Sequence, residues 1–299
     1  MSNQNYRPRR TMLYVPANNA RHIEKARLLT ADSIIFDLQE SVPASKKVEA
    51  RGILAEALAH SADFGSSERI VRINHLRGPW GPGDLEAAAK LPVDAVLFPR
   101  IESRAQILEC IAALDAAGGS HLPVMVNIES PLGVLKAEEI AGASDRVVCL
   151  VMGTTDLANE CKINLNAERM GLVTALSLVV LAARAHKKCV VDGPHLNLKD
   201  EQGCEFACRQ ARDLGFDGKT IIHPAQLTYT NDAFTPKHFD VVRAKRVLTA
   251  IEDAESQGRA MAIVDDRLIE PSLREWAERV IALYDIVQRL GQNDMVIGS

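Results

Sequence analysis

An α/β fold of the (β/α)8 TIM-barrel type, followed by a C-terminal helical extension, is predicted by three observations on the sequence. Eight short runs rich in β-branched residues alternate with amphipathic helical stretches. The repeating unit averages roughly 26 residues, which is close to what a barrel of about 250 residues requires. A Gly-rich turn of the kind that opens a dinucleotide-binding open sheet does not occur in the 299 residues.

Each predicted strand is short and apolar, and most are followed by a helical pattern. Two longer helical patterns, 236–258 and 271–290, follow the eighth strand and are joined by the segment MAIVDDRLIEP. These two patterns make the chain longer than a minimal barrel. The predicted division is therefore a barrel over 1–230 and an extension over 231–299 that can reach a neighbouring subunit. The predicted strands are 12–15, 33–37, 69–74, 95–99, 123–128, 147–152, 189–192 and 220–222, and the predicted barrel helices include 19–29, 45–60, 104–116, 168–185 and 200–214.

The charge and hydropathy pattern excludes two classes of function. There are 39 acidic against 35 basic residues, a net charge of -4, and no long basic block, so we expect no nucleic-acid partner. The longest uncharged stretch, 170–183, is shorter than the roughly 20 apolar residues that span a bilayer, so we expect no membrane segment. The polar N-terminus lacks the apolar core of an export signal, which predicts a cytoplasmic protein.

The six cysteines are scattered through apolar segments without a CxxC pair, which favours reduced thiols in the core. Cys204 and Cys208 share one helix face, so a metal or redox pair is the alternative interpretation.

Acidic residues directly follow several predicted strands, at the end where a barrel of this type builds its active site. Asp37, Glu129, Asp156 and Asp192 would repel one another at one barrel mouth, and a divalent cation would resolve this repulsion. Oxygen ligands without Cys or a paired-His motif favour Mg2+, or Mn2+, over Zn2+. The alternative is that each acid caps the helix after its strand.

Arg72, in the strand RIVRIN, is the candidate anion ligand, because its planar fork suits a substrate carboxylate. The alternative is an ion pair with one of the barrel acids. His195 and His223 follow the seventh and eighth strands, where either is a proton donor, a substrate contact or a side chain bonded to neighbouring backbone. Trp80, in a Gly- and Pro-rich loop, is either a lid over the barrel mouth or simple packing.

These strand-end strings carry a family resemblance. RRTMLYVPANN, FDLQESVPASKKVEAR, VRIN, NIESPLGV, MGTTDL and GFDGKTIIHPAQ occur in this order and resemble the motifs of the HpcH/HpaI aldolase and citrate lyase β-subunit family, in particular its stand-alone acyl-CoA lyase branch. Single strings such as VRIN are weak signals, but six in order, each at a strand end, are specific. The resemblance extends from about Arg9 to about Arg274.

The resemblance implies a Mg2+-dependent carbon–carbon lyase. Its substrates would be 3-hydroxy acyl-CoA thioesters such as malyl-CoA, citramalyl-CoA or citryl-CoA, cleaved to or formed from an acyl-CoA and a 2-oxo acid. A homotrimer or homohexamer is implied as well. Carried over by position, the roles are Glu129 and Asp156 as metal ligands, Arg72 on the oxo-acid carboxylate, Asp37 and Glu40 on metal-bound water, Arg10 and Lys47 toward the CoA phosphates, and Glu270 as the catalytic acid or base.

The chain departs from the family pattern in two places. It reads DLQES where relatives commonly read DLEDA, so Gln39 replaces an acid and Glu40 keeps one. It reads DDRLIEP where relatives carry strings such as GKMIDEP, so Glu270 takes the acidic position with Asp265 and Asp266 as nearby rivals.

Three alternative functions stay open at this point. They are a citrate lyase β-type subunit acting on an acyl-carrier thioester, a CoA-independent aldolase for 4-hydroxy-2-oxo acids, and a malyl-CoA thioesterase. The long C-terminal helices and the strings RRTMLYVPAN and DLQES favour the CoA-thioester branch over the aldolase branch.

Overall fold

Eight parallel strands form a closed barrel in the computed structural model, which describes residues 7–59 and 64–297. The order around the barrel follows the chain, β1 to β8, with β8 paired to β1, so the predicted fold class is confirmed. Every predicted strand agrees with the observed one to within two residues. The strands are β1 (Thr11–Pro16), β2 (Ser33–Asp37), β3 (Glu68–Arg72), β4 (Ala95–Phe98), β5 (Val124–Ile128), β6 (Val147–Met152), β7 (Cys189–Asp192) and β8 (Gly218–Ile221).

The helices largely follow the predicted pattern, with one late start. The predicted helix 168–185 begins only at Val173, because Arg169 adopts a left-handed backbone (φ 51°) and Met170–Leu172 form a 3₁₀ turn. Residue 60, the predicted end of another helix, lies outside the described residues. The helices are α1 (Ala20–Ala26), α2 (Lys47–Leu58), α3 (Gly81–Ala88), α4 (Arg104–Ala116), α5 (Pro131–Leu135), α6 (Ala137–Ala141), α7 (Thr154–Glu160), α8 (Val173–Ala185), α9 (Glu201–Leu214), α10 (Leu227–Phe234), α11 (His238–Ser256) and α12 (Leu273–Ile297).

The segment between α11 and α12 forms a hairpin of two short antiparallel strands, β9 (Ala262–Val264) and β10 (Arg267–Ile269), which the sequence pattern did not predict. Asp265 and Asp266 make its two-residue turn, both with positive φ (51° and 57°). Tight hairpin turns of this kind need positive φ at both central residues, and Asp tolerates it better than most residues.

Alternation along the strands separates an interior layer from an outer core. Inward residues such as Met12, Ile35 and Ile70 fill the barrel interior, while the outward set packs against the helices. Continuing that alternation by two residues brings Tyr14, Asp37, Arg72 and Asn127 to the carboxyl-end mouth of the barrel. The fold therefore makes polar side chains of separate strands neighbours.

The chain divides into two compact units. Arg9–Phe234 form the barrel unit, and the second contains the residues from Thr235 onward together with Arg7 and Pro8. The second unit has its own apolar core, to which α11, the hairpin and α12 contribute Val247, Ile269 and Ala277. The domain division predicted at residue 230 stays a prediction.

Within the described residues, none of the helices combines the length and the apolar run that a membrane crossing needs. The longest, α12, carries charged residues such as Arg274 and Glu275 from its first turn onward.

Barrel closure depends on a glycine at the start of β8. A Cβ on Gly218 would lie far inside van der Waals contact with the carbonyl oxygen of Arg9 and only 2.6 Å from that of Arg10. We therefore expect Gly218→Ala to destabilise the protein by at least ~1–3 kcal/mol, because backbone rather than a flexible side chain blocks the new methyl group. Gly52→Ala is the matched control, since its Cβ meets nothing within 4 Å in α2, and a gain of ~0.5–1 kcal/mol is expected. Denaturant unfolding measures both; equal stability of the two variants would contradict this account of closure.

Candidate active site

The mouth of the barrel contains a buried ion pair between neighbouring strands. Asp37 and Arg72 end β2 and β3 and are register partners. Nε and Nη2 of Arg72 donate to the two carboxylate oxygens of Asp37, both at 2.8 Å. Burial by itself raises the pKa of Asp37, but the charge and hydrogen bonds of Arg72 outweigh it and hold that pKa below its ordinary value. The structure therefore confirms that Arg72 forms an ion pair with one of the barrel acids.

Pairing with Asp37 occupies only part of the Arg72 fork. None of the described residues accepts a hydrogen bond from Nη1 of Arg72, and this atom is not fully buried. Nη2 also donates to Oε2 of Glu40, at 3.5 Å. A guanidinium has five N–H groups. The edge formed by Nη1 and Nη2 can therefore still bind a ligand carboxylate.

Tyr14 and Asn127 belong to the same mouth and were not predicted as site residues. The guanidinium carbon of Arg72 lies 4.5 Å from the centre of the Tyr14 ring. Burial, supported by the charges of Asp37 and Glu129, raises the pKa of Tyr14 to about 12, so its hydroxyl stays protonated at neutral pH. The available signal was strand parity: Tyr14 is two residues after the inward Met12.

Glu129 and Asp156 are the two mouth carboxylates without a cationic partner. Glu129 is buried after β5 and accepts a hydrogen bond from Nδ2 of Asn127 at 3.0 Å, and Asp156 lies half-buried in the first turn of α7. Neither makes an ion pair with any described residue. Burial raises the pKa of Glu129 to about 7, and the charges of Asp156 and Glu40 add to this while that of Arg72 opposes it. A cation shared by the two carboxylates would stabilise their charged forms.

Gly153, directly after β6, makes room for Glu129. A Cβ at this position would lie 2.6 Å from Oε2 of Glu129. The close approach explains why the turn between β6 and α7 has a glycine, which the sequence reasoning passed over within the string MGTTDL.

Asp192, unlike Glu129, has cationic partners. Nζ of Lys219 donates to its Oδ2 at 2.6 Å and Nη1 of Arg169 at 2.8 Å. Burial by itself raises the pKa of Asp192, but Lys219 and Arg169 together lower it. The expectation that four unpaired carboxylates gather at the mouth was therefore wrong, because protein cations neutralise Asp37 and Asp192.

The metal hypothesis narrows to Glu129 and Asp156. In the described part of the chain, no group of three or more His, Cys, Asp or Glu side chains is arranged to hold a metal. Mg2+ keeps several waters and usually needs only one or two protein carboxylates. A pair of hard oxygen donors, with Glu129 buried beside the Gly153 backbone, fits such an ion.

Lys47, predicted near the CoA phosphates, is buried beneath the mouth. Its ammonium donates to the carbonyl oxygens of Leu38 (2.8 Å) and Gln39 and to Oδ1 of Asn74 (2.9 Å). Burial lowers the pKa of Lys47. These three acceptors occupy all three ammonium donors. Trp80 lies beside it, with Nζ of Lys47 5.4 Å from the ring centre.

Arg10, the other predicted phosphate ligand, precedes β1 at the opposite end of the barrel. Its guanidinium forms a two-fold contact with Asp32, at 2.8 and 2.7 Å. The assignment of Arg10 and Lys47 to the phosphates stays a prediction, and this geometry does not support it.

Glu270 lies in the second unit, where it is exposed just after β10 and its Oε2 is 3.4 Å from the Ser272 hydroxyl. Of its rivals, Asp265 is bound by Arg246 at 2.6 and 3.0 Å, and Asp266 completes the hairpin turn. Unlike Asp265, Glu270 makes no ion pair with a described residue, and its catalytic role stays a prediction.

His223 bonds to neighbouring backbone, which is the simpler of its interpretations, whereas Nε2 of His195 is buried without a hydrogen-bond partner among the described residues. Nδ1 of His223 accepts from the backbone N–H of Ala225 at 3.2 Å. Nε2 of His195 lies 3.6 Å from Oδ2 of Asp200, and burial lowers the pKa of this histidine. All six cysteines are free thiols, but only four lie in the core as expected, since Cys161 is exposed and Cys189 is half-buried.

Comparison with known proteins identifies a family whose matched region contains this barrel and its mouth. Residues 10–224 match the model of the HpcH/HpaI aldolase/citrate lyase family. The chain belongs to this family. The match spans every barrel strand, including all four carboxylates considered for the mouth.

Two relatives of this HpcH/HpaI family member have names that differ in the reaction. A (3S)-malyl-CoA thioesterase from Cereibacter sphaeroides is 44% identical over 263 residues, which cover 88% of this chain and 90% of the relative. A citrate lyase subunit beta from Leuconostoc mesenteroides subsp. cremoris is 34% identical over 287 residues, covering 93% and 94%.

A solved structure of the same type is CitE from Mycobacterium tuberculosis, in complex with magnesium, acetoacetate and coenzyme A. It is 27% identical with a TM-score of 0.75, and the match covers 93% of this family member and 98% of that chain.

Substituting Asp192 tests whether this carboxylate neutralises Lys219 and Arg169. Asp192→Asn should cost ~3–5 kcal/mol at neutral pH, because two buried cations lose their anion. Since the folded pKa of Asp192 is lowered, the pair stabilises the fold above the ordinary carboxyl pKa of about 4 and this contribution disappears as the pH falls through the folded pKa. Urea unfolding at pH 7 and pH 3 should therefore show a difference from wild type that shrinks in acid. Asp265→Asn, at an exposed pair, is the control; a loss as large there would contradict the burial argument.

Proposed function

We propose that this protein is a Mg2+-dependent carbon–carbon lyase for a 3-hydroxy acyl-CoA thioester such as malyl-CoA, citramalyl-CoA or citryl-CoA, releasing an acyl-CoA and a 2-oxo acid. The observation that carries the proposal is the juxtaposition of a partly used Arg72 fork with two carboxylates, Glu129 and Asp156, that have no cationic partner among the described residues. The CitE structure with magnesium, acetoacetate and coenzyme A supports the same choice of ligands.

Glu129 and Asp156 would hold Mg2+, or Mn2+, at the mouth. When bound, the ion supplies Lewis-acid and template chemistry toward the oxygens of the 2-oxo acid. In the same proposal Glu40, with 56% of its side chain exposed, and Asp37 order water at the site. Two carboxylates suffice for this cation, so the loss of an acid at Gln39 does not weaken the assignment.

Arg72 would bind the carboxylate of the 2-oxo acid through its Nη1–Nη2 edge. Asp37 holds the opposite edge of the guanidinium in place before substrate arrives. The buried mouth strengthens this interaction relative to water. Cleavage moves electrons toward the thioester, and the fixed positive charge of Arg72 stays with the departing oxo acid.

Glu270 would exchange a proton with the α-carbon of the acyl thioester. In cleavage the proton of the 3-hydroxyl group would pass to water at the mouth, the carbon–carbon bond would break to leave an enolate of the acyl-CoA, and the protonated Glu270 would then give its proton to the α-carbon; in the condensation direction the Glu270 carboxylate would remove that proton. A homotrimer or homohexamer belongs to the proposal as well. The CoA phosphate contacts predicted for Arg10 and Lys47 are not part of this proposal, because Asp32 binds Arg10 at the other end of the barrel and three acceptors occupy the Lys47 ammonium group.

A malyl-CoA thioesterase is the second candidate, favoured by the relative from Cereibacter sphaeroides that is 44% identical. The two reactions differ in the bond that breaks. A lyase breaks the carbon–carbon bond and leaves the thioester intact, whereas a thioesterase adds water across the carbon–sulfur bond and releases the free hydroxy acid.

Product analysis distinguishes the two. We expect purified protein to release acetyl-CoA and glyoxylate from malyl-CoA, or acetyl-CoA and pyruvate from citramalyl-CoA, and to lose this activity with excess chelator. Free CoA with malate would indicate the thioesterase. Inactivity on CoA esters with turnover of an acyl-carrier thioester would indicate a β-type subunit, and cleavage of a free 4-hydroxy-2-oxo acid would indicate an aldolase. Cleavage that survives complete metal removal would overturn the proposed mechanism.

Metal binding has a readout that needs no substrate. We expect Mg2+ to raise the thermal midpoint of the chelator-treated protein, because the ion binds only the folded state. Gly153→Ala should greatly reduce this shift, because its Cβ would displace the Glu129 carboxylate. Glu129→Gln should do the same by removing charge. Gly52→Ala is the matched control and should keep the full shift. A full shift in both Gly153→Ala and Glu129→Gln would place the ion elsewhere.

A further inference from the structure

Asp37 alone leaves the orientation of Arg72 incomplete. The two hydrogen bonds of 2.8 Å hold one edge of the guanidinium. They act as a hinge, because the guanidinium plane can tilt about the line through Asp37 while both bonds bend only slightly. A substrate carboxylate needs the opposite edge in a defined plane to accept two parallel hydrogen bonds.

The guanidinium carbon of Arg72 lies over the ring of Tyr14. The ring centre lies 4.5 Å from the guanidinium carbon, well inside the distance at which a cation is attracted to an aromatic face. Tyr14 is anchored by β1, the strand next to β2, and its ring packs on the interior apolar layer. The ring is therefore a rigid support on the side of the hinge that Asp37 leaves free.

We propose that Tyr14 is a positioning residue that holds the Arg72 guanidinium by its face, so that edge and face together present the remaining N–H groups to a 2-oxo acid carboxylate. The inference rests on the proposed function for its ligand, but the ring–guanidinium contact can be tested without substrate. It assigns the aromatic ring, not the hydroxyl, as the part of Tyr14 that matters for the oxo acid.

Two substitutions separate the ring from the hydroxyl. Tyr14→Phe keeps the ring, and Tyr14→Leu keeps an apolar side chain without one. By calorimetry with Mg2+, using pyruvate and oxaloacetate as probes, we expect Tyr14→Leu to bind about 10-fold more weakly than wild type, in the range that a buried cation–aromatic contact contributes. Tyr14→Phe should bind within about 2-fold of wild type. Acetyl-CoA binding should be the same in all three proteins.

A packing effect and a direct effect are distinguished by two further measurements. Met12→Val, which alters the inward residue two positions earlier on β1, should leave oxo-acid binding unchanged. The side-chain N–H proton resonance of Arg72, assigned by its loss in Arg72→Lys, should show an aromatic ring-current shift in wild type and Tyr14→Phe that disappears in Tyr14→Leu.

The possible results of these measurements lead to different conclusions about Tyr14. Wild-type affinity and an unmoved Arg72 resonance in Tyr14→Leu would overturn the inference and leave the proposed function standing. Equal weakening by Tyr14→Phe would assign the hydroxyl and overturn the role of the ring, and equal weakening by Met12→Val would reduce the effect to packing. Absence of any oxo-acid binding by the wild-type protein would overturn both this inference and the proposed function.

Discussion

Charge compensation at the barrel mouth is the constraint on which the site depends. Closing eight strands brings the side chains that end them into one small, partly desolvated space, where unpaired like charges are costly. Arg72 compensates Asp37, and Lys219 with Arg169 compensates Asp192. Of the four acids predicted at the mouth, Glu129 and Asp156 are therefore the two that have no protein cation beside them. Pairing of the other acids therefore leaves a single position for the proposed cation.

Much of the barrel could be predicted because short apolar runs rich in β-branched residues alternate regularly along the chain with helical segments of a different period. The late start of α8 could not, since it depends on the left-handed backbone of Arg169, whose guanidinium reaches Asp192, 23 residues later in the chain. The hairpin at Asp265 and Asp266 was missed because three-residue strands are too short to show a period.

The candidate site was predictable in its residue types and less so in its pairings. Strand ends and motif order pointed to Glu129, Asp156 and Arg72, but which acid each cation would neutralise depends on register between strands far apart in sequence. Tyr14 escaped notice because an aromatic residue in a strand is usually core, and only its distance to Arg72 separates the two interpretations. Gly153 was missed because its role follows only from its close approach to Glu129 in the folded protein.

The seam between β1 and β8 also has a kinetic consequence. Met12 pairs with Thr220 and Leu13 with Ile221, so this ladder joins the two ends of the barrel unit across nearly its whole length. Pairings that distant pay the largest loop-closure entropy, and folding through them is slow compared with the neighbouring strand pairs. Until the seam forms, β1 and β8 present two open edges that can pair with another chain. A nascent barrel of this kind is therefore most exposed to misassembly just before its last strand is in place.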